Sequence, residues 1–161
     1  MSQAALFKRF GTKEKLIVAA LSRPLGKNPV ADLLASGPDE TPIPDQLVTL
    51  GTQIMAAMRR LVPCLAMLHA AAIESGPQLG HASSLPVQAR ERLTAWFQTA
   101  MDQGRIRRMD AHIMAVSFIG MLNARPFREV ILGDVGLTCT DEAYVRQLVD
   151  QLWAGISGET P

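Results

Sequence analysis

The chain has 161 residues and a formal net charge of +1, with 48% apolar and 19% charged residues; this is the balance of one globular domain, at most with a small appendage. Aromatics reach only 5% while Ala, Leu and Met are plentiful, and alternating β-branched runs are absent, which excludes an all-β architecture and predicts an all-α helical bundle. The longest nearly uncharged stretch, Leu61 to Ile73, contains Pro63 and His69 and falls short of the roughly 20 residues of a membrane span; the lysine-bearing N-terminus lacks the apolar run of a secretory signal, so a cytoplasmic chain without a membrane partner is expected.

In chain order, Ser2 to Phe10 reads as a short helix, since Ser2 is a good N-cap, Leu6 and Phe10 share a face, and Gly11 ends it. Thr12 caps a second helix whose stripe is Leu16, Ile17, Ala20 and Leu21, interrupted at Pro24 and Gly26. Residues 36 to 44, Ser-Gly-Pro-Asp-Glu-Thr-Pro-Ile-Pro, are the strongest break in the chain. A long helix follows, with Leu47, Leu50, Ile54, Met58, Leu61, Leu65 and Leu68 three and four apart, and Pro63 is expected to kink or split it. After a Gly/Ser/Pro-rich loop comes a helix capped near Ser84, with Leu93, Trp96, Phe97, Ala100 and Met101 on one side until Gly104. The next helix, capped by Asp110, is apolar on nearly all sides past Leu122, and needs cover on more than one face; Pro126 is expected to bend it. The last begins at Thr140, with Asp141 and Glu142 at the positive end of its dipole and a stripe of Val145, Leu148, Val149, Leu152, Trp153 and Ile156.

The near-neutral charge hides an asymmetry. Residues 1–27 hold Lys8, Arg9, Lys13, Lys15, Arg23 and Lys27 against Glu14 alone, and residues 28–161 are net acidic, so a polyanion-facing end is joined to a separate body. Cys64 and Cys139 belong to no Cys/His cluster and are read as reduced, hydrophobe-like thiols. His81 and His112 have no neighbours at metal-ligand spacing, and Arg59-Arg60 and Arg105 to Arg108 are read as solvated faces. No nucleophile triad, glycine-rich phosphate loop or HExxH motif supports catalysis, and neither metal nor cofactor is expected.

The run from Ser2 to Leu16, Ser-Gln-Ala-Ala-Leu-Phe-Lys-Arg-Phe-Gly-Thr-Lys-Glu-Lys-Leu, resembles the recognition helix and following turn of TetR-type transcriptional regulators, which read Val-Ser-x-x-x-Leu-Tyr-x-x-Phe, then Gly, Ser or Thr, Lys, Glu, x, Leu. The resemblance implies a TetR-like effector-binding and dimerisation body, residues 28–161, preceded by a partial helix-turn-helix, residues 1–27. It places Ser2, Gln3, Ala4 and Lys8 toward the DNA groove and Phe7 and Lys13 toward the backbone. Phe7 departs from the usual tyrosine and loses that hydroxyl's phosphate contact. The later helices occur in the family's order, and the resemblance implies an intersubunit bundle of the last two, for which Ala115, Phe118, Leu122, Val145, Val149 and Leu152 are the expected homodimer residues. A pocket for a small hydrophobic or aromatic effector is expected among Met55, Met58, Met67, His69, Trp96, Phe97 and Met101, with thioethers supplying adaptable walls. The resulting expectation is a homodimeric, ligand-responsive repressor of TetR type whose DNA reader is incomplete in this chain, with operator DNA the partner of its full-length parent; the alternative is a dimeric helical module for a small molecule or protein without DNA binding.

Met1 stands where the family has valine, and a GTG valine codon also serves as a start, so the chain is expected to open inside its own motif. The DNA upstream should continue in frame for roughly 30 to 50 residues encoding two amphipathic helices, enough to complete a helix-turn-helix. Sequencing that region checks this; a stop codon directly before Met1 contradicts it.

Overall fold

The computed structural model describes Gly11 and residues 29–75, 84–133, 136 and 138–156, without the side chains of residues 64–65, 67–75 and 84–86. The expected DNA-facing residues Ser2, Gln3, Ala4, Phe7, Lys8 and Lys13, and the segment 1–27 apart from Gly11, lie outside the described residues. The rest is helical: α1 Pro29–Ser36, α2 Ile43–Ser75, α3 Ser84–Asp102, α4 Ala111–Phe127, a five-residue π-turn Arg128–Leu132, and α5 Asp141–Ile156. No strand occurs among the described residues.

Helix α1 is absent from the sequence reading. Its signals are Pro29 at the first helical position, where a missing N–H costs nothing, and Gly37 just past the end at φ +71°. Helix α2 starts where the carbonyl of Pro42 accepts the amides of Asp45 and Gln46 at 3.0 and 3.2 Å. It is one continuous helical element through Pro63, so the proline does not split it. Helix α4 likewise passes Pro126. The departure from α-helical pairing comes just beyond, in the π-turn, which closes on Gly133 at φ +65°. The expected cap at Asp110 is present: its Oδ1 accepts the amides of His112 and Ile113 at 2.8 and 2.9 Å. Thr140 Oγ1 accepts the Ala143 amide at 3.2 Å and starts α5.

Helix α2 is the axis of the body, with α1, α4 and α5 against it, while α3 packs on α1 and α4. The core joins Val30 and Leu34 of α1, Leu47, Leu50, Ile54 and Met55 of α2, Leu93, Trp96, Phe97, Ala100 and Met101 of α3, Met114, Ala115, Phe118 and Leu122 of α4, and Val145, Val149 and Ile156 of α5. Trp96 meets Phe97 edge-on at 5.4 Å, and Phe97 meets Phe118 edge-on at 6.1 Å, the favoured aromatic geometry. The tightest approach is at Gly51. A Cβ there would stand 2.6 Å from Val145 Cγ1 and 3.3 Å from Phe118 Cζ, so the glycine sets how closely α2 nears α4 and α5.

Gly51→Ala should therefore destabilise the chain by about 1–2 kcal/mol despite alanine's better helix propensity, because overpacking outweighs it. Urea denaturation with an unchanged m value checks this.

Candidate functional site

The described surface has one long apolar stripe. On α4 the core side is Ala111, Met114, Ala115, Phe118, Leu122 and Arg125, and the opposite side, at helical spacing, is Ile113, Val116, Ser117, Gly120, Ala124 and Phe127. Ile113 is 62% exposed, Val116 46% and Phe127 45%, and the stripe continues into Val130, Ile131 and Leu132 of the π-turn. A methyl group built at Gly120 meets nothing within 4 Å. Nothing among the described residues needs this glycine, although glycine inside a helix costs about 1 kcal/mol relative to alanine.

This placement puts the expected dimer residues on the inner side of the subunit. Ala115, Phe118, Leu122, Val145 and Val149 have at most 1% of their surface exposed inside the chain's own core, and Leu152 is half-buried against it. A side chain already enclosed by its own subunit has no surface to give a second copy. The sequence showed that α4 is apolar all round; with apolar residues on both sides, periodicity alone left open which side its own chain covers.

Behind the stripe's C-terminal end is a cluster of charges. Arg125 keeps 8% of its side-chain surface. Its Nε donates to Glu129 Oε1 at 3.0 Å, its Nη2 to the Cys139 carbonyl at 2.7 Å and its Nη1 to the Thr140 carbonyl at 3.3 Å. Its guanidinium carbon also sits 5.5 Å from the Tyr144 ring centroid. Arg59 of α2 reaches the same acids, with Nε donating to Asp141 Oδ2 at 2.5 Å and Nη1 to Glu129 Oε2 at 2.5 Å. Two cations and two anions thus tie α2, the end of α4, the π-turn and the start of α5. Hydrogen bonds from Arg59, then from Arg125, hold the Glu129 carboxyl below its ordinary pKa. Asp141 is lowered chiefly by its hydrogen bond from Arg59, and burial raises the Tyr144 hydroxyl, which donates to the Met121 carbonyl.

Arg59, with 37% of its side-chain surface exposed, is thus an ion-pair partner as well as a surface residue, and Arg105, also at the surface, donates its guanidinium to the carbonyls of Asp39 and Thr41. Arg125 and Glu129 do show an i, i+4 spacing in sequence. Pairing across 70 and 82 residues, from Arg59 to Glu129 and Asp141, has no sequence signal.

The expected effector residues divide. Met55, Trp96, Phe97 and Met101 are fully enclosed in the core, Met58 packs against it half-buried, and Met67 and His69 lie on the second half of α2 with side chains outside the description. A polar groove of about 350 Å³ lies elsewhere, between α2 and α5, lined by Asp45, Thr49, Thr52, Gln53, Glu142 and Arg146 around Val48. None of the seven expected residues lines it. Among the described residues no set of His, Cys, Asp or Glu is grouped to hold a metal, and no helix is long and apolar enough to cross a membrane.

Compared with known families, residues 45–152 match the C-terminal domain of AefR-like transcriptional repressors, a TetR-type C-terminal domain. A comparison with curated proteins gives no match.

Arg125→Met should cost about 2–3 kcal/mol, at the low end for breaking a buried pair, because Glu129 and Asp141 retain some water. Both carboxyls have folded pKa values below their ordinary ones, so their pairing stabilises fully at neutral pH and is lost as pH falls from about 4 through the folded values. Arg59→Met should flatten this acid limb in melts recorded between about pH 2 and 6.

Proposed function

Because the chain belongs to the TetR family of transcriptional regulators through its AefR-like C-terminal domain, we propose that it is a ligand-responsive repressor acting as a homodimer on operator DNA in the cytoplasm. The observation that carries the dimer is the stripe from Ile113 to Phe127, with an exposed glycine at its middle that no described residue requires. A second α4 crossing near Gly120 would bury Val116 and Phe127 and explain the missing side chain. The stripe, rather than the enclosed Val149 or Phe118, is the contact surface.

The DNA-reading role rests on the motif at Ser2 to Leu16, in which Ser2, Gln3, Ala4 and Lys8 address the groove and Phe7 and Lys13 the backbone. The effector is a small hydrophobic or aromatic molecule received between α2 and α3 near Pro63. Entry there requires Met55, Met58 and Met101 to change rotamer, which unbranched thioethers do at low cost. By binding one subunit geometry better than another, the effector shifts the spacing of the two recognition helices and releases DNA. The chemistry is binding alone.

Disrupting the gene should raise transcripts of adjacent genes, and unchanged transcripts would contradict repression. The wild-type chain should be dimeric by light scattering at roughly tens of micromolar. Val116→Glu with Ile113→Glu should give a folded monomer, since both side chains are exposed. Val149→Glu should instead unfold the chain, because it places a charge in the core. A monomeric wild type contradicts the interface.

A further inference from the structure

The turn between α3 and α4, residues 103–110, touches more of the molecule than a connection needs. Its entry is set by Gly104 at φ +70°, with the Arg105 amide donating to the Ala100 carbonyl at 3.0 Å. From there its residues diverge. Arg105 sends two guanidinium nitrogens to the carbonyls of Asp39 and Thr41, in the turn between α1 and α2. Ile106 plugs the core with 2% exposure. The amide of Arg107 donates to the carbonyl of Ile156, the last residue of α5, at 3.0 Å. Asp110 then caps α4.

The receiving turn is built for this contact. Gln46 accepts the Asp39 amide at 3.1 Å and donates to the carbonyls of Asp39 and Thr41 at 3.0 and 2.6 Å. The Asp39 carboxylate is bonded to Thr41. Both carbonyls that Arg105 reads are thereby fixed relative to each other. A planar fork on two such carbonyls is satisfied in one relative position only.

We infer that the turn 103–110 is a coupling clip, which transmits displacement of the C-terminal end of α5 to α1 through Arg107, Arg105 and the Asp39–Thr41 turn. A shift at Ile156 moves the backbone of Arg107, and with Ile106 anchored in the core the movement is taken up at Arg105, whose fork then leaves the two carbonyls. Arg105 is a positioning residue: it acts on α1 through the backbone it holds. Helix α1 is the element by which the body continues toward residues 1–27, so the clip joins the dimerising body to the DNA-reading end. That use of the coupling rests on the regulator reading. The exchange experiment below needs neither operator nor effector, so its failure and that reading's failure are told apart.

Hydrogen exchange of the full chain tests the clip through non-additivity. Arg105→Gln and Ile156→Ala should each speed exchange of the amides from Leu33 to Thr41 about tenfold, the scale of losing a charged hydrogen bond. Exchange in the middle of α4 should stay unchanged. The double variant should be no faster in that segment than the faster single variant. Arg105→Lys should restore part of the protection, and Arg108→Gln, with its side chain 81% exposed in the same turn, should have no effect. If Ile156→Ala unfolds the chain, Ile156→Val takes its place, with the same pattern at smaller amplitude. Multiplicative effects in the double variant, or an Ile156 variant that leaves the Leu33–Thr41 amides unchanged, would overturn the coupling.

Discussion

Burying a guanidinium constrains everything around it, because an uncompensated charge away from water is among the most destabilising features a fold can contain. Arg125 meets that constraint with Glu129 from the π-turn, the carbonyls of Cys139 and Thr140 from the approach to α5, and the ring of Tyr144. Arg59 of α2 then balances the charge on the acids. These partners come from four places in the chain, so satisfying Arg125 fixes where α4 ends and where α5 begins. The π-turn follows from the same demand: it carries Glu129 back to Arg125 while turning Val130, Ile131 and Leu132 outward.

Much of the architecture was legible because helix chemistry is local. Asp110, Thr140 and Gly104 announce their helix ends through side-chain acceptors and left-handed backbone, and the structure puts them there. Helix α1 escaped because eight residues hold too few apolar positions for a period to stand out from the proline-rich break beside it. Pro63 does not split its helix, and the irregularity near Pro126 appears two residues later, in the π-turn.

Which apolar face looks outward was less legible, for a reason of geometry. Leu47, Phe118 and Val149 obey helical periodicity, but periodicity cannot tell a face covered by the chain's own helices from one left for a second chain. On α4 both sides are apolar, and only the positions of α2 and α3 show that Phe118 and Leu122 look inward while Val116 and Phe127 look outward. The methionines pose the same difficulty: Met55 and Met101 serve as core filling, and an adaptable side chain suits a packed core as well as a ligand wall.

The two polar assemblies of the body divide its work by position. The Arg59–Arg125 cluster holds the end of α4 to the start of α5, and the turn at 103–110 holds the start of α4 to the end of α5. Both helices also lie against α2, and because each of these two pins joins the end of one to the start of the other they run antiparallel. The outward stripe of α4 lies between the pins. A rigid frame whose apolar face is uncovered among the described residues suits an interface whose geometry must be kept in the subunit and changed between subunits. The asymmetry between the pins is chemical. One is a set of paired charges around the buried Arg125, costly to open because that guanidinium would lose its partners. The other is one exposed-side guanidinium on two carbonyls and a single amide bond to Ile156. Strain delivered to this frame therefore yields first at the Arg105 end, the end that faces α1.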